Sequence, residues 1–419
     1  MRHTLVAIFA TILAINTLYA QSATERISAA INGNDILYLE HNLQRCKDSL
    51  PDHIYLMAEA LRCSHTNRYH RSNKAIEELL NNHSQTIGEE AVGNFYGMLI
   101  SNLHRSGNYS SAARLLEGSV ENRESYNYFA ALSHKRPLEV EKPKGDVVVP
   151  FTISKLGSGR HIHIPVEIGN RTESFIFDTG ANKYNVVTES CAKRYKFRPI
   201  FDSLPTAGVG GDGLSRVVTI PKIKIGKIRL KNPLFIVIPD NSTPVDSLSG
   251  FRLEFVLGTD VMEALGEIQF DMEAKTMTIP ASESEKTADA TPLTHADSYY
   301  IHPAVNGTML KMQFDTGAVD SSMHYRYLSE FGDSVTFVGE ERVSRAHGFG
   351  GTATYNVRTA ERIEFTIGGK SRVARNIEIT SSDHALPYQQ DEYGYIGANI
   401  VLSFKRFTIN FRQMFVTAE

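Results

Sequence analysis

Two copies of one short segment, Phe-Asp-Thr-Gly-Ala, are the clearest chemical signal in this sequence of 419 residues. The copies occupy residues 177–181 and 314–318, which places Asp178 and Asp315 137 residues apart (315 − 178). Two carboxyl groups held close together cannot both ionise, so one pKa rises, the other falls, and the pair shares one proton. The ionised member can accept a proton from water, while the protonated member polarises a carbonyl group. The pair therefore predicts hydrolysis by general acid–base chemistry.

The two aspartate segments belong to a longer internal repeat. Four further blocks recur in the same order: 165–170 with 303–308 (offset 138), 208–211 with 348–351 (offset 140), 256–260 with 395–399 (offset 139), and 268–271 with 407–410 (offset 139). A single Asp-Thr-Gly is a weak signal, because it can be an ordinary turn and occurs by chance in roughly one chain in ten of this length. Five blocks at nearly one offset predict two halves with the same fold.

The repeat lies in a region whose pattern favours β-structure. From Val147 onward, short runs rich in β-branched residues alternate with glycine-rich turns, which is typical of an all-β domain. A polar stretch divides this region into halves of similar length. We therefore predict a first lobe over residues 147–280, an inter-lobe linker over 281–291 and a second lobe over 292–419.

Residues 147–416 resemble the pepsin and retropepsin superfamily of aspartic proteases, in a two-lobed single-chain form. Each half has the family's apolar strand before Asp-Thr-Gly, a glycine-rich flap hairpin and a later apolar-apolar-Gly block. Alanine after the turn and Gly-x-Gly-Gly in the flap are more similar to bacterial retropepsin-like proteases than to pepsin. With the N-terminal helices described below, the expected fold is multidomain: all-α helical hairpins followed by an all-β bilobal acid-protease fold built from two pseudo-symmetric lobes.

The resemblance implies a role for each residue of the two turns. Asp178 and Asp315 are the expected catalytic pair, with no cofactor and no metal. Thr179 and Thr316 are expected to hydrogen-bond across the lobe interface, as they do in the family. The glycines that follow, Gly180 and Gly317, allow a sharp turn where a side chain would collide with the opposite loop.

Two glycine-rich segments are interpreted as flaps that close over an extended substrate. The expected flap residues are Gly208, Gly210, Gly211, Gly348, Gly350 and Gly351. Segment 208–213 also fits the Gly-x-Gly-x-x-Gly pattern of dinucleotide-binding proteins. That pattern requires a strand before it and a helix after it, whereas the segment that follows it here is strand-like. An ordinary hairpin tip remains an alternative to the flap.

The sequence departs from the pepsin pattern in two ways. The first flap contains no tyrosine, and the nearest one in either copy is Tyr355. Ala181 and Ala318 replace the serine or threonine whose hydroxyl group bonds the aspartate in pepsin-like enzymes. Since losing that bond removes one stabiliser of the ionised carboxylate, we expect an optimum nearer to about pH 5 than pH 2.

Residues 1–20 are expected to form a signal peptide. Arg2 and His3 precede an apolar run over residues 5–15, and Ala20 offers a small residue before a cleavage site. The run is shorter than the roughly 20 residues that cross a bilayer. The sequence therefore predicts export, to the periplasm or out of the cell, and no membrane span.

Residues 21–135 show apolar residues at spacings of three and four, which predicts helices. Two Leu-Leu pairs, at 79–80 and 115–116, lie 36 residues apart (115 − 79), close to the 34-residue tetratricopeptide repeat. A generic helical bundle is the alternative. Residues 136–146 are charged, contain proline and are interpreted as a linker. We expect the helical module to recruit a protein partner, with a blocking pro-segment as the other possibility.

Composition excludes several classes of function. The 44 Lys and Arg residues nearly balance 47 Asp and Glu residues, and no basic stripe indicates nucleic-acid binding. No cluster of cysteine and histidine at ligand spacing predicts a metal site. His161 and His163 alternate on a predicted strand and are interpreted as plain surface. Cys46 and Cys63 form either a disulfide or two buried thiols, and Cys191 is expected to pack on a helix.

The sequence therefore predicts a monomeric, exported aspartic endopeptidase that cleaves extended or unfolded polypeptides. The alternative is an exported peptide-binding or scaffolding protein that uses a protease-like cleft and the helical module. The presence of both aspartates favours the enzyme, because a degenerate clamp has no need of two.

Overall fold

The structure is a computed structural model that describes residues 22–156, 159–208, 211–240, 253–348, 351–382 and 391–419. The chain divides into two compact units, one ending at Ser106 and the other covering Gly107–Glu419. The predicted signal peptide, residues 1–20, lies outside the described residues. No helix in the described ranges has both the length and the apolar character needed to cross a membrane.

The described part of the first unit is helical. Its helices are α1 (Ala23–Asn32), α2 (Ile36–Cys46), α3 (Asp52–Ser64), α4 (Tyr69–Ile87) and α5 (Glu89–Arg105), with a 3₁₀ turn at Lys47–Ser49. Helix α1 begins with a capping box, in which the Glu25 amide donates to Ser22 and the Ser22 amide donates to the Glu25 carboxylate. Ile27, Leu39 and Leu43 are fully buried and join α1 to α2.

The buried charge of Arg62 is paired within this unit, and the two cysteines of the unit are free thiols. Arg62 pairs with Glu59 at 2.6 Å and with Glu40 at 3.0 Å, because a buried guanidinium requires compensating carboxylates. Cys46 and Cys63 are free thiols in the structure, so the disulfide alternative is not the one observed. Burial raises the pKa of the Cys63 thiol to about 11, which makes it unreactive.

The second unit begins with two more helices, α6 (Tyr109–Leu116) and α7 (Arg123–Ser133). The prediction of helices before the β region is confirmed. However, α6 and α7 belong to the same compact unit as the β region, whereas α1–α5 belong to the other unit. The tetratricopeptide-type repeat remains a prediction.

The first half of the β region contains helices α8 (Glu189–Arg194) and α9 (Thr259–Leu265). Its strands are β1 (Glu139–Glu141), β2 (Val147–Pro150), β3 (Thr152–Leu156), β4 (Gly159–Ile168), β5 (Arg171–Phe177), β6 (Asn185–Thr188), β7 (Pro199–Gly208), β8 (Gly211–Thr219), β9 (Lys222–Ile225), β10 (Ile228–Lys231), β11 (Leu234–Ile238), β12 (Phe255–Leu257), β13 (Glu267–Asp271) and β14 (Thr276–Ile279). The first described sheet has the order β1-β10-β9-β4-β5-β12-β6-β11-β8-β7, with β3 paired to β4.

The second half contains helices α10 (Tyr325–Phe331) and α11 (Ala398–Val401) and a 3₁₀ turn at Gly332–Ser334. Its strands are β15 (Thr291–His295), β16 (Tyr299–Ile301), β17 (Ala304–Val305), β18 (Thr308–Met309), β19 (Met312–Phe314), β20 (Ser322–Met323), β21 (Phe337–Gly348), β22 (Gly351–Ile367), β23 (Lys370–Thr380), β24 (Gly394–Ile396), β25 (Arg406–Asn410) and β26 (Phe415–Ala418). The second described sheet has the order β18-β17-β22-β23-β20-β24-β19-β16-β15-β26-β25-β13-β14-β2, with β21 paired to β22.

The segment predicted as a linker, residues 136–146, contains a strand. Strand β1 pairs antiparallel with β10 at the edge of the first sheet. Lys231 of β10 forms ion pairs with Glu139, at 3.6 Å, and with Glu141. Opposite charges on facing strands stabilise this pairing, so the segment is attached to the first lobe.

The closing strands of the two lobes meet each other. Strands β13 and β25, the last block of the sequence repeat, pair antiparallel with Phe270 opposite Phe407. Phe177, the residue before the first catalytic turn, contacts Phe270 with ring centroids 5.0 Å apart. Phe314, before the second turn, contacts Phe407 at 6.0 Å. The bilobal all-β prediction is confirmed, and a shared aromatic core supports both turns.

Candidate active site

Each aspartate lies at the end of a buried strand that a later strand supports. Strand β12 runs parallel to β5, and β24 runs parallel to β19. The amide of Asp178 donates to the carbonyl of Leu257 at 3.1 Å, and the amide of Asp315 donates to the carbonyl of Ile396 at 3.0 Å. The apolar-apolar-Gly blocks of the two lobes therefore fix where each catalytic turn begins.

The two turns bring the aspartates together. A Cβ atom on Gly180 would lie 2.5 Å from Oδ1 of Asp315, and a Cβ on Gly317 would collide with the carboxyl group of Asp178. The two carboxyl groups also interact electrostatically, since the charge of Asp178 contributes to raising the pKa of Asp315. Glycine is required at both positions because each turn packs directly against the carboxyl group of the other lobe.

Backbone amides bind one oxygen of each carboxyl group. Oδ1 of Asp178 accepts from the amides of Gly180, at 2.8 Å, and Ala181, at 3.2 Å. Oδ1 of Asp315 accepts from the matching amides of residues 317–318, both at 3.0 Å. The alanines after the turns contribute amides and no hydroxyl group, as the sequence indicates.

The surroundings raise the pKa of both aspartates. Burial, followed by the charge of Asp178, raises the pKa of Asp315 to about 7. Burial also raises the pKa of Asp178, against the lowering effect of the Gly180 amide. Both side chains are only half-buried, so solvent still reaches them. The pair therefore keeps one shared proton from acidic pH to near neutrality.

The threonines of the two turns join the lobes. Oγ1 of Thr179 donates to the carbonyl of Phe314 at 2.7 Å, and Oγ1 of Thr316 donates to the carbonyl of Phe177 at 2.8 Å. Each hydroxyl also accepts from the amide of the opposite threonine at 3.0 Å. The hydrogen bonds expected across the lobe interface are present, and they fix one aspartate relative to the other.

A histidine that the sequence interpretation placed on the surface contacts the second catalytic turn. His161 and His163 are 4% and 3% exposed, so the surface interpretation is wrong. Nε2 of His161, on β4 of the first lobe, donates to the carbonyl of Gly317 at 2.9 Å. Its Nδ1 has no hydrogen-bond partner among the described residues. Burial lowers the pKa of His161, against the raising effects of the Gly317 carbonyl and Asp315.

The role of His161 depends on contacts that sequence alone does not reveal. Its neighbours Ile162 and Ile164 are buried as well, so both faces of β4 are covered. The alternating sequence His-Ile-His-Ile in β4 is compatible with burial of one face of the strand or of both faces. The second lobe, which is distant in sequence, covers the histidine face. His163 instead lies between Ser154, at 2.5 Å, and Ser174, at 2.9 Å.

The two glycine-rich segments are tips of β-hairpins. Gly208 pairs with Gly211 between β7 and β8, and Gly348 pairs with Gly351 between β21 and β22. Gly211 and Gly351 have φ values of 127° and 126°, which glycine adopts without strain. Strands on both sides exclude the dinucleotide-binding interpretation. The other two expected flap residues, Gly210 and Gly350, lie outside the described residues.

Across the described parts of the chain, no group of three or more His, Cys, Asp or Glu side chains is arranged to hold a metal ion.

Residues 164–261 match the family model described as aspartyl protease. Over these residues the chain is similar to the aspartyl protease family. The matched segment includes Asp178, its turn and the first flap hairpin. Asp315 lies beyond the match, and its assignment to the same site depends on the pseudo-symmetric geometry described above. No curated protein matches the chain.

Among solved structures, the chain is similar to the aspartic proteinase from Irpex lacteus, with 13% identity, coverage of 65% of this chain and 97% of that chain, and a TM-score of 0.42. The retropepsin-like aspartic protease from Rickettsia conorii is 19% identical over 35% of this chain and 94% of that chain, with a TM-score of 0.21. Basic 7S globulin from soybean is 8% identical over 66% of this chain and 95% of that chain, with a TM-score of 0.40.

Proposed function

We propose that this protein is an aspartic endopeptidase that hydrolyses peptide bonds in extended or unfolded polypeptides. The observation that carries the proposal is the contact between Asp178 and Asp315, each packed against the glycine of the other turn. A pair of coupled carboxyl groups with raised pKa values supplies both a base and an acid at one point in a cleft.

The mechanism follows from one proton shared by two carboxyl groups. The ionised carboxylate takes a proton from the bound water, and the water oxygen forms a bond to the scissile carbonyl carbon. The protonated carboxyl group gives its proton to the carbonyl oxygen. The carboxyl group that took the water's proton passes it to the amide nitrogen, which allows the C–N bond to break. As the carbonyl re-forms, the other carboxylate takes a proton from a hydroxyl group of the diol intermediate, and the pair returns to its singly protonated state. The macroscopic pKa values belong to the pair, so base and acid are not assigned to separate residues.

The unpaired edges of two strands favour the proposal that the substrate binds in an extended conformation. Strand β7 ends the order of the first described sheet, and β21 pairs only with β22 among the described strands. Strands with an unpaired edge can add an extended peptide through main-chain hydrogen bonds. Both strands end at the glycine-rich tips, Gly208 and Gly348, that are expected to close over the cleft.

A peptide-binding or scaffolding role is the second candidate. A clamp needs free strand edges, which this fold supplies. It does not need two adjacent, half-buried carboxyl groups, which destabilise the fold once both are forced to ionise. The matching contacts around Asp178 and Asp315 therefore favour the enzyme.

We also propose that residues 1–20 direct export, so that the enzyme acts in the periplasm or outside the cell. Burial of Cys63 and Cys191 protects these thiols from an oxidising compartment. Sequencing the N-terminus of protein from cell fractions tests this part. Retention of residues 1–20 on protein that stays in the cytoplasm would contradict it.

The experiment for the activity is a digest of a denatured proteome by the purified mature chain near pH 5, with cut sites mapped by mass spectrometry. We expect internal cleavage that a statine-containing peptide inhibits and that chelators leave unchanged. The matched control is Asp178→Asn, which preserves size and polarity. Cleavage that survives in the control, or no cleavage by the wild-type protein, would contradict the proposal.

A further inference from the structure

We propose that the helical hairpin of α6 and α7 is a working part of the bilobal fold, in which Tyr128 positions both the loop after Asp178 and the first flap strand. The catalytic consequence of this inference rests on the proposed function, whereas the structural positioning does not. The hairpin lies outside the segment that matches the aspartyl protease family.

Tyr128 reaches the loop that carries the first aspartate. The residue lies on α7 and is 5% exposed. Its hydroxyl group is 2.7 Å from the hydroxyl group of Tyr184. Tyr184 follows Asp178 by six residues (184 − 178) within the same connection between β5 and β6. A buried hydrogen bond at this position restricts the far end of the catalytic loop.

The ring of Tyr128 also contacts the first flap hairpin. It packs edge-to-face on Phe201 of β7, with centroids 5.4 Å apart and an interplanar angle of 73°. The pairing of β7 with β8 is irregular on both sides of Phe201. Because the strand changes direction at such irregularities, the contact fixes the bend from which the flap extends.

A second tyrosine of the hairpin approaches the same region. Tyr109, on α6, is buried, and burial together with Asp260 and Tyr184 raises its pKa above the usual value. Asp260 belongs to the apolar-apolar-Gly block beneath the first turn. A Cβ atom on Gly258 of that block would collide with the carbonyl of Tyr184. The hairpin therefore contacts the loop after Asp178 through Tyr128 and lies within electrostatic reach of the block that supports this loop through Tyr109.

The second lobe stabilises its flap base differently. Phe337, the first residue of β21, has the guanidinium of Arg358 over its ring at 3.5 Å. Arg358 belongs to the same flap hairpin, on β22, so this contact is internal to the hairpin. The first flap instead depends on a helix from outside the β fold. Positioning by Tyr128 is thus a property of the first lobe.

The test uses the full mature chain with Tyr128→Phe, Tyr184→Phe and the double variant. Each single change removes one hydroxyl group from the pair, and we expect kcat/KM on an extended peptide to fall about three- to tenfold. The double variant should be no worse than either single one, because the two residues form one interaction. Tyr126→Phe, on the same helix and half-buried, is the control and should retain wild-type kcat/KM.

Hydrogen exchange provides a readout that does not depend on activity. In Tyr128→Phe, which loses only the hydroxyl contact with Tyr184, we expect faster exchange in residues 178–188 and unchanged exchange in residues 314–323. Tyr128→Leu, which also loses the ring contact with Phe201, should in addition exchange faster in residues 199–208. If wild-type protein cuts no peptide, the proposed function fails while this pattern still supports the positioning role. Unchanged exchange in both first-lobe segments, or an equal increase across the whole domain, would overturn the inference. Multiplicative effects of the two single substitutions on kcat/KM would overturn it as well.

Discussion

At the scale of single residues, the pair Asp178 and Asp315 lowers the stability of the folded chain. The pair is retained despite this cost because the proposed reaction needs it. A carboxyl group whose pKa is higher in the folded than in the unfolded state binds more protons when folded, so stability falls as pH rises between the two values. For Asp315 that window runs from about 4 in the unfolded chain to about 7 in the folded chain. The energetic cost of the pair therefore appears near neutral pH.

Replacing Asp315 with asparagine should remove this cost. We expect Asp315→Asn to raise the melting temperature by several degrees near pH 7 and by much less near pH 4, as measured by thermal unfolding at both values. Asparagine keeps an oxygen for the backbone amides and cannot ionise. Asp212→Asn, at an exposed position in the first flap hairpin, is the control. An equal change at both pH values would contradict the account.

His161 should shape the acid side of the rate profile. Its pKa is lowered in the folded state, so its contribution to stability is complete above about 6.5 and is lost as pH falls below that value. Protonation places an N–H at Nδ1, where the described residues offer no acceptor. Asp315 faces this ring from the second lobe, and His163 lies near it on the same strand.

Two substitutions at 161 separate hydrogen bonding from titration. His161→Gln keeps a donor for the Gly317 carbonyl and should retain kcat near pH 6 while losing less activity than wild type at lower pH. His161→Leu lacks the donor and should lower kcat about three- to tenfold at all pH values, with KM little changed. His163→Gln, which affects contacts with Ser154 and Ser174, should leave the acid limb of kcat in place. Identical pH profiles for wild type and His161→Gln would count against this role.

At the scale of elements, the two turns act as one unit through their threonines. Thr179→Val removes the hydrogen bond that the hydroxyl group donates to the carbonyl of Phe314 and the one that it accepts from the amide of Thr316, at a buried position. We expect a loss of about 1–3 kcal/mol in the free energy of unfolding, measured by denaturant titration, and a fall in kcat. Thr179→Ser keeps the hydroxyl group and should stay close to wild type. A valine variant as stable as the serine variant would show that these bonds do not hold the lobes.

Elements that are determined by local sequence patterns can be predicted from the sequence, whereas elements that depend on contacts between distant residues cannot. The Asp-Thr-Gly turns and the apolar-apolar-Gly blocks that support them come from local patterns. Because each pattern occurs twice, the repeat made both elements predictable. The burial of His161 and the position of Tyr128 depend on contacts with residues that are distant in sequence. Strand β1 was missed because its charges, Glu139 and Glu141, are typical of a linker until Lys231 faces them. An ion pair between two neighbouring strands cannot be recognised from the sequence of either strand alone.

At the scale of the whole molecule, the chain separates after Ser106 and not at the predicted linker. A truncated chain that begins at Gly107 keeps α6, α7 and β1, whereas one that begins at Asp146 loses Tyr128 and the pairing of β1 with β10. We expect the first to cut a short generic peptide and the second to have a lower melting temperature and lower kcat/KM. Peptide cleavage and thermal unfolding of both chains measure this difference. Equal activity and stability in the two chains would contradict it.

The same comparison addresses the role proposed for the preceding helices. If residues 22–106 recruit a partner or substrate, the chain from Gly107 should cut a short peptide as fast as the full mature chain and lose preference only on the natural target. If they block the cleft, the shorter chain should be markedly faster on the short peptide. We favour recruitment, because helical hairpins of this kind commonly present a surface to another protein.

The most direct test of the central claim compares kcat/KM for wild type, Asp178→Asn, Asp315→Asn and the double variant on one peptide near pH 5. Because the two carboxyl groups work as a unit, we expect each single change to lower kcat/KM by at least about 1,000-fold and the double change to be little worse than either. Thermal unfolding of each variant establishes that it is folded. Turnover within tenfold of wild type in either folded single variant would contradict a water held between Asp178 and Asp315.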